Sequence, residues 1–263
     1  MSDLGYDELV KKLYLDDEYI AKNPSLHEED SLWKVSKILP LVSSYITTVN
    51  KDEITLLDVG GGAGLILKAV SAHITKHYGI NVNKYIIDLS PGMLAAQIDR
   101  NPEYSKALNE DIRNTSLGEK EIDLALIIDL LEHVPDPTKA LEEIRRISDF
   151  AIFKVPLEDT LFFKSINLIK KGKPRQALID SWGHINTYNF SRLKCEIEEH
   201  TGNVQWYYFT NACDYYSRSE YYRRRISKGS RLLYLLGANA SKISPRICAC
   251  VINDFVMILV RCY

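Results

Sequence analysis

Through the first 155 residues, short apolar runs alternate with stretches whose apolar positions recur at helical spacing. Leu9, Leu13 and Tyr14 predict a helix over residues 6–20, and Leu32, Trp33, Val35, Ile38 and Leu39 predict a second over 28–48. Ile54–Val59 then reads as a strand, and 65–78 as a helix. Lys84–Asp88 is a second strand, followed by a helix from Pro91 to Arg100 with proline in its first turn. Lys106–Asn109 is a weak third strand and Ile122–Ile128 a strong fourth. A helix from Pro137 to Ile147 and a fifth strand over 149–155 complete the series.

Apolar strands alternating with helices predict a parallel sheet covered on both faces. After Pro156 the rhythm breaks. A helix over 157–171, a loop through Gly183 and a helix over 191–200 are expected there. Val204–Phe209 and the run 254–261 read as late strands that pair antiparallel. Between them lie a basic, tyrosine-rich stretch and a further helical piece. No internal repeat or low-complexity linker is visible.

With 263 residues, 46% hydrophobic and 26% charged, the composition is that of an ordinary globular chain. The formal net charge of -2 gives no global attraction to nucleic acid or anionic membranes. Cys195, Cys213, Cys248, Cys250 and Cys262 form no metal spacing, so no metal site is expected, and free thiols in a reducing compartment are. The polar, acidic start from Met1 to Glu8 does not read as a secretory signal, and no apolar run is long enough to span a bilayer. A cytoplasmic location is the expectation.

The most informative segment is Leu56–Gly64, where strand one meets its helix. A glycine-rich turn there lets a ligand approach backbone closely. A phosphate-binding Walker loop would need Lys-Ser/Thr at its end, where this chain has Leu65 and Ile66. A dinucleotide fingerprint counted from Gly60 needs glycine at position 65, and counted from Gly62 at position 67; both are leucine. What stands is Asp58, Gly60, Gly62 and Gly64 at alternate positions, with Gly61 between. An acid at the strand end suits a ligand carrying an ammonium group better than one carrying a pyrophosphate.

On these residues the chain resembles class I S-adenosylmethionine-dependent methyltransferases of the small-molecule type, and the likeness continues in order through residues 54–156. It implies a Rossmann-like, seven-stranded, mostly parallel α/β sheet with an antiparallel last strand and helices on both faces. Residues 1–263 would form one domain: an N-terminal helical cap over 1–50, a cofactor core over 54–156, and acceptor-side insertions over 157–202 and 212–252. S-adenosyl-L-methionine would meet Asp58 and Gly60, Gly61, Gly62 and Gly64. Asp88 would take the ribose hydroxyls with Leu89 beside it, Asp111 the adenine amine with Ile112 on the ring, and Asp129 and Leu130 the methionine end.

For the acceptor, the resemblance offers His133 and His184 as catalytic candidates. His133 has an alternative role in orienting its loop and capping the next helix. His184 either faces the acceptor or ties its own loop down. Base-methylating enzymes of this fold carry Asn/Asp-Pro-Pro-aromatic after strand four. This chain has Asp129-Leu130-Leu131-Glu132, which argues against nucleic acid.

A small polar acceptor is expected, first a sugar or nucleotide-sugar hydroxyl. Alternatives are a lipid or quinone methylated at a membrane surface, and a non-catalytic binding subunit. His27 and Asp30 are candidates for a lid and Trp33 for core. The segment 215–231 holds six basic residues against one acid. It reads as a solvated face, a phosphate grip or a membrane contact. The oligomeric state is left open.

Overall fold

In the computed structural model, the described residues are 28–224 and 226–263, with Gly5, Asp7, Glu8, Val10, Tyr14 and Leu15 from the N-terminal segment. The helix predicted over 6–20 is therefore described only at Asp7, Glu8, Val10, Tyr14 and Leu15, all helical, and His27 lies outside the described residues.

Helix α1 (Glu28–Thr48) leads into β1 (Glu53–Val59), α2 (Leu65–Tyr78), β2 (Asn81–Ile87), α3 (Pro91–Arg100) and β3 (Lys106–Leu108). Then come β4 (Ile122–Ile128), a 3-10 turn (Leu131–His133), α4 (Pro137–Ile147) and β5 (Ser148–Leu157). The sheet orders its strands β3-β2-β1-β4-β5-β7-β6, with β7 (Asp254–Cys262) antiparallel to both β5 and β6 (Gly202–Phe209). β1 through β5 run parallel, as their unbroken apolar sequences require.

Period-two alternation splits the core in two. Leu57, Val59, Ile127 and Phe153 pack toward α4 and α7 (Phe190–His200). Ile54, Leu56, Leu124 and Ile152 pack toward α1 and α2, meeting Ile38, Leu41, Tyr45, Leu67 and Ile74. Both layers are fully shielded from water, which stabilises each large side chain by about 1.5–3 kcal/mol. The chain order reverses direction between β1 and β4, so a crevice opens above their carboxyl ends.

The structure corrects the reading beyond Pro156. Leu157 still belongs to β5, and Pro156 stands inside that strand opposite Phe255. The expected single helix is α5 (Leu161–Ile169), capped by Thr160. The expected loop is a second helix, α6 (Lys173–Trp182), set between Gly172 and Gly183, both left-handed. Pro174 stands in its first turn, where the missing N–H has no partner to lose. Four short helices follow β6: α8 (Ala212–Arg218), α9 (Glu220–Arg223), α10 (Lys228–Ile243) and α11 (Pro245–Val251).

Candidate functional site

The crevice holds a cavity of about 570 Å³, within the ~300–1,000 Å³ range of small-molecule sites. Its floor is the glycine turn. Gly60, Gly62 and Gly64 all have positive φ (64°, 55° and 74°), so the backbone reverses without Cβ strain. A Cβ on Gly61 would collide with the Asp58 carboxylate, and one on Gly64 would sit 2.8 Å from Asn101 Nδ2. Asn101 in turn donates to the Gly64 carbonyl (3.0 Å), and the Gly60 amide donates to Ile87 O (2.8 Å). The turn is thus tied to β2 and α3.

Asp58, the last residue but one of β1, has no exposed surface, and no described side chain partners its carboxylate. Burial first and the charge of Asp88 second push it up to about 7, opposed only by the Leu67 amide. Asp88 lies one residue beyond β2. It accepts from Ser90 N (2.9 Å) and Gln97 Nε2 (2.6 Å), and burial raises it to about 6. Asp111 accepts a fork of bonds from Arg113, which also pairs with Asp7 at 2.7 Å. Leu89 and Ile112 line the wall beside them.

A buried carboxylate that no described cation neutralises, packed so closely on Gly61 that a Cβ there would collide with it, suits a ligand bringing its own cation. The α-ammonium of S-adenosylmethionine meets that requirement, with Asp88 and Asp111 still offering lone pairs to hydroxyl and amine donors.

At the end of β4 the picture differs. Asp129 adopts φ 53° and is clamped between Lys154, which has no exposed surface, and Lys34 (3.1 Å). Burial opposes ionisation there, but the two lysines hold the carboxyl far below its usual range. Lys34 also pairs with Asp30 at 3.0 Å, so Asp30 lines the cavity as part of this ion cluster. Leu130 closes over the turn, with Cδ1 2.9 Å from where a Gly60 Cβ would be. Trp33 is half-buried, stacked on Tyr215 at 4.5 Å and edge-on to Phe255. It packs beneath the site and does not line the cavity.

His133 and His184 come together, their rings perpendicular with centroids 4.9 Å apart. His133 does not cap α4; Asp136 does. Instead, His133 Nδ1 lies 3.2 Å from Gly183 O, and since a carbonyl only accepts, Nδ1 carries the proton. The loop holding His184 is tied down by other groups. Arg175 donates to the carbonyls of His184 (2.7 Å) and Ile185 (2.6 Å), and Asn186 donates to Leu131 O and Val134 O. The His184 ring faces the cavity with Nδ1 2.9 Å from both oxygens of Glu158. Burial pulls its pKa down, but Glu158 and Glu132 outweigh this and the net shift is upward.

Glu132 is buried with Oε2 unpartnered, and burial and Asp129 hold it well above the usual carboxylate range. Glu132, His133 and His184 bring ligand atoms within 4.8 Å of one another, a spacing that suits a proton relay or a divalent cation.

The sequence missed Lys34, Lys154, Glu158 and Arg175. Lys154 carried a signal, as a lone charge inside an apolar strand. Glu158 carried none, because its partner lies 26 residues away.

Tyr216, Tyr222, Ile226, Tyr234, Leu178 and Trp182 also line the cavity. Among the described side chains, no arginine of segment 215–231 lines it. Arg218 and Arg224 point outward to Asp214 and Glu220.

Comparison with known proteins bears on the whole arrangement. Residues 57–149 match the family model described as a methyltransferase domain. The ubiquinone biosynthesis O-methyltransferase of Coxiella burnetii is 27% identical over 161 residues, covering 58% of this chain and 63% of that protein. The chain thus spans less than two thirds of that relative's length. Among solved structures, a sarcosine dimethylglycine methyltransferase from Galdieria sulphuraria, itself assigned without proof, superposes with a TM-score of 0.58 at 14% identity, over 88% of this chain and 83% of that one. Geranyl diphosphate C-methyltransferase from Streptomyces coelicolor, solved with Mg2+, geranyl diphosphate and S-adenosyl-L-homocysteine, gives 0.53 at 12% identity, over 81% and 75%. At such identities these structures establish the fold alone.

Proposed function

From a chain built as a class I S-adenosylmethionine-dependent methyltransferase, we propose transfer of a methyl group to a hydroxyl oxygen of a small, largely apolar acceptor. The donor supplies a methyl group on a sulfonium, and the chain's residues do the rest. Asp58 receives the donor's ammonium group, Asp88 its ribose hydroxyls and Asp111 its adenine amine. Asp30, Val10 and Tyr14 add to the cavity lining.

The acceptor oxygen loses its proton as the new C–O bond forms, and His184 is the group we assign to take it. Glu158 fixes Nδ1, which leaves Nε2 as the basic nitrogen, and His133 packs edge-on to keep the ring oriented. In-line methyl transfer asks little more than alignment and a dry site.

The single observation that carries the choice of acceptor is the group of tyrosines and aliphatic residues from α6, α8 and α10 in the cavity's lining wall. A sugar or nucleotide-sugar acceptor gripped by the basic segment would need its arginines in the cavity, whereas Arg218 and Arg224 turn out to Asp214 and Glu220 and Arg231 does not line it. A phenolic hydroxyl on an apolar ring suits the wall better. The ubiquinone O-methyltransferases, similar over 161 residues, point the same way.

The test is turnover of the purified full chain with labelled S-adenosylmethionine. It should label a catechol or hydroxyquinol bearing an aliphatic tail, and leave nucleotide sugars unlabelled. Label on the sugar alone would overturn the assignment. Saturable donor binding with no turnover on either class would favour a binding subunit.

A further inference from the structure

The outer side of the acceptor half carries an apolar surface that no described element covers. Helix α5 has no buried residue, and its Leu168 and Ile169 are 82% and 77% exposed. Helix α11 packs against both α5 and α10 and exposes Ile247. On α10, Leu232, Leu236 and Ile243 fall along one stripe and all face water, Ile243 at 88% exposure. Isolated exposed leucines need no explanation, but a contiguous set across three helices marks an interaction surface.

Charge decides what that surface meets. Residues 160–179 and 221–253 contain no acid. Lys164 and Arg224 pair with Asp159 and Glu220 just outside them, and Arg175 is held on the His184 loop, which leaves Lys170, Lys171, Lys173, Lys228, Lys242 and Arg246 exposed. These two stretches supply α5, most of α6, α10 and α11, in a chain whose net charge is -2. A second copy docking by twofold symmetry would bring the same basic face against itself. An anionic bilayer offers both negative headgroups and hydrocarbon. Among the described residues no helix is long and apolar enough to cross a membrane, so such a helix set lies on the surface.

The cavity touches one of these helices, α10, and the neighbouring α6. Trp182, half exposed, stands at its rim, and Tyr234 of α10 faces inward while its neighbours Leu233 and Leu235 face out.

We propose that the α5–α11–α10 face rests on an anionic lipid bilayer. Its leucines and isoleucines enter the headgroup–acyl boundary, and its lysines and arginines meet lipid phosphates. An apolar acceptor then reaches the tyrosine-lined part of the cavity from the membrane without crossing bulk water. The docking itself stands on the exposed residues, and its test reads lipid binding without turnover, so it survives or fails apart from the acceptor assigned above.

The experiment is co-sedimentation of the full chain with phosphatidylcholine vesicles, with and without phosphatidylglycerol. Binding at least about tenfold stronger to the anionic vesicles, weakening as salt is raised, is expected. Leu236→Asp with Ile243→Asp should lower that binding about tenfold or more. Lys170→Glu with Lys171→Glu, on an exposed turn far less able to disturb folding, should do the same. Both variants should keep the donor affinity of the parent chain. Equal binding to both vesicle types, or binding to neither, would overturn the proposal. So would a dimer in sedimentation velocity that Leu236→Asp with Ile243→Asp dissociates while parental vesicle binding is absent.

Discussion

Strands β1 and β4 lie side by side, and each has an aspartate at its carboxyl end: Asp58 is the last residue but one of β1, and Asp129 follows β4 and lines the cavity. Among the described residues Asp58 pairs with no cation; only the Leu67 amide favours its charged form, and burial pushes it up to about 7. Asp129 is clamped by two lysines of the chain itself and held far below the usual range. Burial penalises both, so the difference lies in where the compensating positive charge comes from. At β4 the fold supplies it, which makes Asp129 part of the framework. At β1 the fold withholds it, which leaves Asp58 to be completed by a ligand.

The largest effect that could break this contrast concerns the floor beneath Asp58. Gly61→Ala should weaken S-adenosylmethionine binding a hundredfold or more, about 3 kcal/mol, by isothermal titration. The new methyl group displaces the Asp58 carboxylate, and circular dichroism should show an unchanged fold. A donor affinity within a factor of three of the parent would mean that Asp58 does not hold the ammonium group.

Stability should separate the two aspartates with opposite signs. Lys154→Met leaves Asp129 short of a cation and should cost about 3 kcal/mol in urea unfolding. Asp58→Asn should instead stabilise the donor-free protein by about 1 kcal/mol at pH 8. The sign follows from linkage. The Asp58 pKa rises from 3.8 in a free chain to about 7 in the fold, so its contribution is fully favourable below pH 4 and is lost as pH climbs through 7. The advantage of asparagine therefore grows with pH, and a pH-independent difference would contradict the shift.

Donor binding should follow the same titration. Below pH 7 the Asp58 carboxyl is protonated and cannot pair with an ammonium, so affinity should rise from pH 6 to pH 8. Proton release on binding near pH 6.5 would be read from titrations in buffers of different ionisation heat.

At the acceptor end, Glu158→Gln should move the acid limb of kcat/KM to lower pH, because Glu158 is among the groups that raise His184. With the ring less well oriented, kcat should also fall about tenfold. The smallest effect sharpens the role of the Glu132–His133–His184 cluster. As a proton relay it should keep its turnover after dialysis against EDTA. Activity lost there and restored by Mg2+ or Zn2+ would reassign it as a cation site.

The donor end was legible because its parts are local. Asp58 and the glycines share one turn, and Asp88, Asp111 and Asp129 each follow a strand that hydrophobic pattern alone identifies. The same pattern placed α1 at residues 28–48 and β4 at 122–128, as observed. The region beyond Pro156 was legible only in part. Helix α6 stands where a loop through Gly183 is expected; Gly172, Pro174 and Gly183 punctuate the segment, yet each sits at a helix end where it is tolerated. The role of His184 was undecidable from spacing, since Glu158 and Arg175, which settle its orientation, meet it only after α5 and α6 fold back over β5.

By itself the sequence determined the order of strands and helices, the glycine turn and the row of acids at the strand ends. Those features depend on backbone conformation and on apolar period, both of which are set within a few residues. Only the tertiary structure decided which acids are already neutralised, which histidine is oriented by a carboxylate, and which leucines of α5, α10 and α11 are left uncovered. Those properties depend on burial and on distances between segments far apart in the chain, and no local pattern encodes them.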